Sequence, residues 1–432
     1  MFRSFVYQLL LALGIAAGLL LCGGADTQAD EAQLVPVGVA KVDITPEQPV
    51  RMYGYASRKT ESEGIAGRLK AKALAIGGEA GNELAVLLTV DCGAVPADLR
   101  EEVFRRVQSK TSLKPERFML CNSHNHSGPN LKGMASISGV EHEHLATYAQ
   151  QLTDRLEKVV LDAVAARQPG RLSWTQGSVS FAANRRVLTD GKWTGFGAVH
   201  DAPVDHGLPV LRVTGADGAL MAVVVNYACH NTTLRGDFKQ IHGDWAACAQ
   251  TAIEAAHPGA AALVTIGCGA DADPCPHGTV ELCEKHGRAL ATEVSRLLEE
   301  ANWRMLPPTP AAAATVLKVS HGKNPGSETF QVAVWTFGDE LAMIFFSDEV
   351  VVDYARRLKQ EFDGGRLWIS AYTNDVSRYI VSKRLLSEGG YEVRSSLSSR
   401  VTDGHHEQLT PAMEDRIMEA VESLLPAGYL RK

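Results

Sequence analysis

Strand-like and helix-like patterns alternate along most of this 432-residue chain, and this alternation constrains the fold more than any single motif. Residues 84–90 form a nearly continuous apolar run, typical of a strand covered on both faces, whereas residues 141–166 carry apolar side chains at helical spacing. Such alternation predicts an α/β fold. We expect layered, mixed β-sheets flanked by helices, with the functional site at the carboxyl ends of strands.

The predicted elements extend through most of the chain. Strands are predicted at residues 37–44, 70–76, 84–90, 117–121, 208–213, 220–227, 262–266, 315–319, 331–335, 341–346 and 367–372. Helices are predicted at residues 97–107, 141–166, 245–256, 280–298, 350–358 and 411–425. The proline-rich stretch at 307–310 resembles a connector, but candidate site residues fall on both sides of it, so it does not clearly divide two domains.

The first 29 residues have the layout of a secretory signal peptide. A positive start at Arg3 is followed by a mostly apolar run at residues 5–21 and then by small and polar residues suited to cleavage. We therefore expect an exported protein, periplasmic or secreted, whose mature chain begins at residue 30. Cys22 offers an alternative as a lipid anchor.

Composition excludes several function classes. The net charge of −7, without a long basic run, gives no electrostatic support for a nucleic-acid partner. After the signal, no segment reaches the ~18 apolar residues that a membrane-spanning helix needs. The eight cysteines contain no Cys-x-x-Cys pair, which argues against a cysteine zinc site. Cys268, Cys275 and Cys283 are close enough in sequence for one disulfide among them.

Polar and titratable residues follow five of the predicted strands, at the point where each strand ends. In chain order they are His124 and His126, His230, Asp271 and Asp273, Asp348 and Glu349, and Asn374, Asp375 and Tyr379. Because ligands of open α/β sheets bind at the carboxyl ends of strands, this recurrence predicts one common site.

A catalytic zinc site needs about three protein ligands and one open position for water. The two imidazoles of His124 and His126 lie on the same side of an extended segment, so both can bind a metal, or one can bind it while the other contacts substrate. Each candidate also has a structural interpretation. His230 can be a hydrogen-bonded core histidine, Glu349 can oppose the dipole of a helix that it opens, and Asp271 can serve the glycine-rich turn around it.

Several of these segments resemble the neutral, non-lysosomal ceramidases, which are zinc-dependent amidases that cut the N-acyl bond of ceramide. Residues 38–46 are similar to the opening strand of that family, and Ser-His-Asn-His-Ser-Gly-Pro at 123–129 resembles its His-Thr-His-Ser-Gly-Pro segment. Further similar segments lie at residues 184–185, 228–230, 242–244, 347–349, 377–380 and 390–392. The resemblance runs through nearly all of the mature chain.

The resemblance implies a role for each matching residue. It implies that His124, His230 and Glu349 bind Zn²⁺, with Tyr379 as a fourth ligand. It also implies that His126, Arg185 and Tyr391 orient the substrate. Asp271, the aspartate that the family keeps in its Gly-Asp-Val-Ser-Pro turn, is then expected to be the general base that takes a proton from water. The expected substrate is a small-molecule or lipid N-acyl compound.

Two departures from the family pattern bear on the substrate. Asp273 replaces the serine of the family turn, and the chain ends at Lys432, where ceramidases of this family continue into a β-sandwich domain. We therefore expect a single catalytic domain at residues 30–432. Two alternatives stay open: a metal-dependent ester or phosphoester hydrolase, and an exported binding protein without catalysis. Nothing in the sequence indicates an oligomeric state.

Overall fold

The computed structural model describes residues 33–78, 83–318, 329–396 and 411–431. Its strands are β1 Val35–Asp43, β2 Lys70–Ile76, β3 Ala85–Val90, β4 Phe118–Asn122, β5 Gln168–Ser178, β6 Ala182–Thr189, β7 Lys192–Val199, β8 Gly207–Gly215, β9 Leu220–Tyr227, β10 Ala261–Ile266, β11 Ala272–Pro274, β12 Arg304–Met305, β13 Ala311–Lys318, β14 Thr329–Phe337, β15 Leu341–Phe346, β16 Glu349–Val350, β17 Leu367–Ser370 and β18 Tyr379–Ile380. Its helices are α1 Ala97–Gln108, α2 Val140–Ala165, α3 Asp244–Ala256, α4 Val280–Glu300, α5 Val352–Glu361, α6 Lys383–Glu388, α7 Tyr391–Ser395 and α8 Pro411–Leu424.

Four sheets organise the described residues. A nine-stranded mixed sheet has the order β10-β9-β8-β5-β1-β2-β3-β4, with β12 beside β5. A four-stranded sheet has the order β13-β14-β15-β17, and two smaller sheets are β11-β6-β7 and β16-β18. The pairs β9–β10, β3–β4 and β15–β17 are parallel, while most other pairs are antiparallel. The predicted α/β class with mixed sheets and flanking helices is confirmed.

Period-two alternation distributes each strand between two apolar cores. In β3, Leu87 faces a core shared with Trp335 and Phe345 of the four-stranded sheet, so the two large sheets pack against each other. The next residue of the strand, Leu88, faces a separate core that contains buried side chains of α1 and α2, among them Val103 and Leu156. The large sheet is therefore covered on both faces, as the continuous apolar sequence of β3 predicts.

Sequence patterns located many elements closely but missed seven of the described strands. The bounds of β2, β9 and β15 agree with the prediction, whereas three long strands, β5, β6 and β7, and four short ones, β11, β12, β16 and β18, were not predicted. β6 carries Asn184, Arg185 and Arg186, all buried, and a charged buried run does not match either apolar strand pattern. The helix predicted at 350–358 begins two residues later, at Val352.

Three further predictions concern the whole chain. The seven described cysteines are all free, so the disulfide expected among Cys268, Cys275 and Cys283 is not present. Within the described residues, no helix is long and apolar enough to cross a membrane. The predicted signal peptide at 1–29 lies outside the described residues, and the domain boundary at residue 30 stays a prediction. The described residues from Leu34 onward belong to one compact unit.

Candidate metal centre

The segment that follows β17 joins two distant strands at their carboxyl ends. The backbone N–H of Ala371 donates to Ile266 of β10 at 2.8 Å, and that of Asn122 in β4 donates to Tyr372 at 3.1 Å. A third bond runs from Asn374 N–H to the carbonyl of Leu120 at 2.7 Å. These bonds hold the loop after β4 close to the loops after β9 and β10.

Three histidines meet at this junction. Each of His124, His126 and His230 offers a ring nitrogen, and these nitrogens all lie within 4.8 Å of one another. The Nε2 atoms of His124 and His126 are 3.3 Å apart. His124 and His230 are buried, with exposed fractions of 1% and 0%. The chain therefore gathers a three-histidine cluster that is compatible with a metal ion.

Backbone carbonyls fix which nitrogen of two rings is free. The Nδ1–H of His124 donates to Gly93 O at 2.8 Å, and the Nδ1–H of His230 donates to Gly269 O at 2.9 Å. In a neutral imidazole the other nitrogen, Nε2, then carries a lone pair that faces the cluster. Burial, together with nearby positive charge, lowers the pKa of His230 and of His126, which favours their neutral, metal-binding forms.

Glu349 adds a carboxylate to the cluster. Its Oε2 lies 3.1 Å from His124 Nε2 and 3.2 Å from His230 Nε2. This oxygen is buried and has no hydrogen-bond donor among the described residues. Lone pairs of two nitrogens and an oxygen that face each other repel unless a cation lies between them, so this donor set fits a divalent metal ion.

The interpretation of Glu349 as a helix-opening acid was wrong. Helix α5 begins at Val352, three residues beyond Glu349. Glu349 instead lies in the short strand β16, which pairs in parallel with β18 and places Glu349 opposite Tyr379. The interpretation of His230 as a hydrogen-bonded core histidine describes its Nδ1 atom, whereas its Nε2 atom faces the cluster.

Tyr379 and Arg185 lie beside the histidines. The Tyr379 hydroxyl is 3.5 Å from His230 Nε2 and accepts a hydrogen bond from Arg185 Nη2 at 3.2 Å. The Arg185 guanidinium is buried and also donates to Glu392 and Asp273. The ring of Tyr391 is 5.6 Å from that of Tyr379 and 38% exposed, so it adjoins Tyr379 and reaches solvent.

Both oxygens of the Asp271 carboxyl accept hydrogen bonds from groups other than the histidines. One oxygen accepts from Val352 N at 2.9 Å, in the first turn of α5, and the other accepts from Asn184 Nδ2 at 3.1 Å. Burial raises the pKa of this carboxyl to about 6. The raised pKa suits a general base near neutral pH, while both hydrogen bonds are typical of a structural role. The role predicted for Asp271 stays a prediction.

His126 is enclosed by the glycine turn near the start of the chain. The rings of Tyr53 and Tyr55 lie 5.4 Å and 5.2 Å from the His126 ring. A Cβ atom on Gly54, the residue between them, would lie 2.2 Å from the His126 ring, and Gly54 has a φ of +97°. Only glycine can adopt this positive φ without strain and also leave room for the His126 ring. The Nδ1 of His126 is buried without a hydrogen-bond partner in the described part of the chain.

Sequence patterns gave no signal for Tyr372, which lies in the site. The ring of Tyr372 lies 4.5 Å from the ring of His124 and is tilted by 34° relative to it. Tyr372 has a φ of +55°, and His124, Asp348 and Asn374 also have positive φ values of 52°, 65° and 65°. Non-glycine residues in this region are strained, and such strain concentrates at functional sites. Backbone strain has no sequence signature here, so only the structure reveals it.

A sequence model and two curated proteins are similar to this chain in sequence. A sequence model described as "Neutral/alkaline non-lysosomal ceramidase, N-terminal" matches residues 36–300. The neutral ceramidase of Pseudomonas aeruginosa is 28% identical over 204 residues, which cover 46% of this chain and 30% of that protein. Neutral ceramidase A of Dictyostelium discoideum is 24% identical over 252 residues, covering 56% of this chain and 35% of that protein. The chain thus aligns with about a third of the length of these curated relatives.

The crystal structure of the P. aeruginosa neutral ceramidase has the same fold. It superposes with a TM-score of 0.73 at 16% sequence identity, covering 93% of this chain and 76% of that one. A ceramidase structure described as complexed with C2 superposes with the same TM-score. The match over residues 36–300 covers more than half of the sequence. The chain therefore belongs to the neutral/alkaline non-lysosomal ceramidase family.

Proposed function

We propose that the protein hydrolyses an N-acyl amide bond and depends on a zinc ion held by His124, His230 and Glu349, with Tyr379 as a fourth ligand. The observation that carries this proposal is the position of one carboxylate oxygen, Oε2 of Glu349. It lies within 3.2 Å of both Nε2 of His124 and Nε2 of His230. Two imidazoles and a carboxylate form the ligand set of many catalytic zinc sites. When bound, zinc supplies Lewis-acid activation of water and of a carbonyl group.

The remaining side chains orient the substrate in this proposal. Tyr391 is partly exposed and adjoins Tyr379, so its hydroxyl is available to donate to the oxygen of the scissile carbonyl. One such donor is typically worth about 100- to 1,000-fold in turnover. His126 has a free buried Nδ1 beside the cluster and contacts the substrate, while Arg185 holds the Tyr379 hydroxyl.

Asp271 is proposed as the proton acceptor, with one clear rival role. Its pKa of about 6 supports a general base. Its hydrogen bonds to Val352 and Asn184 instead support a role in holding α5 and β6 in place. Replacing Asp271 by Asn distinguishes the roles, because loss of a general base lowers turnover by roughly 100- to 10,000-fold, whereas loss of a purely structural contact lowers stability more than turnover.

The substrate class follows from the family and from the residues around the cluster. The curated relatives are named neutral ceramidases, which supports a ceramide-like lipid as substrate. The exposed Phe196 packs edge-on against Tyr391 at 5.2 Å and extends an aromatic wall from the cluster to solvent. An apolar group beside the amide would pack on this wall. We further propose that residues 30–432 are one catalytic domain, exported after removal of residues 1–29.

One experiment separates this proposal from its alternatives. Purified protein is analysed for bound metal and tested side by side on N-acyl amides, carboxylic esters and phosphoesters. We expect about one zinc per chain and turnover of the amides, both lost in His230→Ala and both kept in His257→Ala. The ring Nε2 of His257 lies 3.1 Å from the Ser295 hydroxyl, outside the candidate metal centre. An active, metal-free His230→Ala protein contradicts the proposal. Zinc without turnover of any substrate supports a binding protein, and preferred phosphoester turnover supports a different hydrolase.

A further inference from the structure

Asp273, the aspartate in place of the family serine, bridges two arginines beside the candidate metal centre. Its Oδ1 accepts from Arg185 Nη1 at 3.2 Å, and its Oδ2 accepts from Arg235 Nη2 at 3.1 Å. Thr232 adds a hydroxyl donor to Oδ1 at 3.4 Å. A serine hydroxyl has one oxygen and a shorter side chain, so it lacks the two separate acceptor atoms that this bridge uses.

The contacts of Arg185 leave its guanidinium a single orientation. Nε donates to Glu392 Oε1 at 2.9 Å, Nη1 donates to Asp273, and Nη2 donates to the Tyr379 hydroxyl at 3.2 Å. The guanidinium is planar with a fixed fork of donors. Fixing Nε and Nη1 therefore determines the plane and directs Nη2 at Tyr379.

The two carboxylates that hold Arg185 come from different parts of the chain. Asp273 lies in β11, which pairs antiparallel with β6 and sets Asp273 opposite Ala183, two residues before Arg185. Glu392 comes from α7 and also accepts from Arg186. Glu392 is thus shared between two arginines, whereas the Nη1 edge of Arg185 is held by Asp273 alone among the described residues.

We propose that Asp273 is a positioning residue, which acts through Arg185 to hold the Tyr379 hydroxyl beside His230. The inference rests on the proposed amide hydrolysis for its kinetic consequence, but its geometric consequence stands without it. Without the carboxylate, the guanidinium can rotate about its remaining anchor, and Tyr379 loses a charged donor. Charge-assisted hydrogen bonds of this kind are worth roughly a ten- to hundredfold change in rate when they are made at the reacting centre.

The test compares Asp273→Asn with Asp43→Asn. Asp43 is a matched control because it also bridges two cations, Arg68 at 3.1 Å and Lys70 at 2.7 Å, and lies outside the site at the end of β1. We expect Asp273→Asn to lower kcat roughly ten- to hundredfold, with bound zinc and KM close to wild type. Asp43→Asn should leave kcat unchanged.

Two further measurements separate positioning from a general structural role. In a double-mutant cycle, Asp273→Asn should have little additional effect in an Arg185→Lys background, because Asp273 acts through Arg185. Additive effects, or loss of zinc from Asp273→Asn, overturn the proposal. A crystal structure of Asp273→Ala, which removes both acceptor oxygens, should show the contact between Arg185 Nη2 and Tyr379 Oη broken, and its persistence near 3.2 Å also overturns it. This last measurement decides the geometry even if the wild-type protein cleaves no amide, an outcome that would instead contradict the proposed function.

Discussion

Glu349 and Tyr379 are direct neighbours across the two-stranded parallel sheet formed by β16 and β18. Their side chains converge on one imidazole: Glu349 Oε2 is 3.2 Å and Tyr379 Oη is 3.5 Å from His230 Nε2. Along the chain, 29 residues lie between them, and these include the whole of α5. A single strand register therefore sets the spacing of half of the candidate ligand set.

Glu349→Gln should lose metal while the fold is kept. The amide has almost the same shape but is neutral, and its oxygen is a far weaker ligand than a carboxylate. We expect zinc affinity to fall by more than about 100-fold, since even an outer partner of a zinc ligand is worth 10- to 100-fold. Competition with a fluorescent chelator measures it. Glu361→Gln, which loses an ion pair to Arg357 on α5, is the control, and equal affinities in the two variants would disprove ligand duty for Glu349.

Gly54→Ala should destabilise the protein more than Gly191→Ala. Both glycines have positive φ, +97° and +72°, so both substitutions strain the backbone by about 1 kcal/mol. Only at Gly54 does the new Cβ meet the ring of His126, at 2.2 Å, whereas nothing lies within 4 Å at Gly191. Overpacking of this kind costs about 1–3 kcal/mol more. Urea unfolding measures the difference, and equal midpoints would show that the turn moves freely.

Asp271 should make stability depend on pH in the direction opposite to an ordinary ion-paired acid. Its folded-state pKa of about 6 lies above the usual 3.8 because the carboxyl is buried. Protonation of the Asp271 carboxyl therefore contributes about 3 kcal/mol to the free energy of unfolding. This contribution is fully present below about pH 4 and is lost as pH rises through 6. Urea unfolding at pH 4 to 7 of wild type and Asp271→Asn measures it. The wild type should lose more stability over this range, and parallel curves would show an unshifted pKa.

Tyr391→Phe should slow turnover without removing metal. The substitution deletes only the hydroxyl and keeps the ring contacts with Phe196 and Tyr379 at 5.2 Å and 5.6 Å. If that hydroxyl donates to the developing oxyanion, kcat should fall by about 100-fold or more. Steady-state kinetics on an N-acyl amide measures it, with Tyr354→Phe as control, since that hydroxyl donates to Val381 O at 3.2 Å. An unchanged kcat in Tyr391→Phe would exclude the donor role.

Local sequence patterns predicted the elements whose environment is uniform. The apolar strands β3 and β15 are buried along their whole length, so their sequence alone identifies them. Strand β6 could not be found in this way, because its Arg185 and Arg186 are neutralised by Glu392, more than 200 residues later. The pairing of β16 with β18 is equally non-local. The sequence predicted that the site lies at the carboxyl ends of several strands. The distances between the side chains of the site depend on contacts between segments that are remote in sequence, so local patterns could not predict them.

The most direct test of the account is anomalous diffraction from crystals of the purified protein, recorded on both sides of the zinc absorption edge. The account predicts a single strong zinc peak among Nε2 of His124, Nε2 of His230 and a carboxylate oxygen of Glu349, at about 2.0–2.2 Å from each. A peak coordinated by other residues, or crystals of active enzyme without a peak at this position, would contradict it.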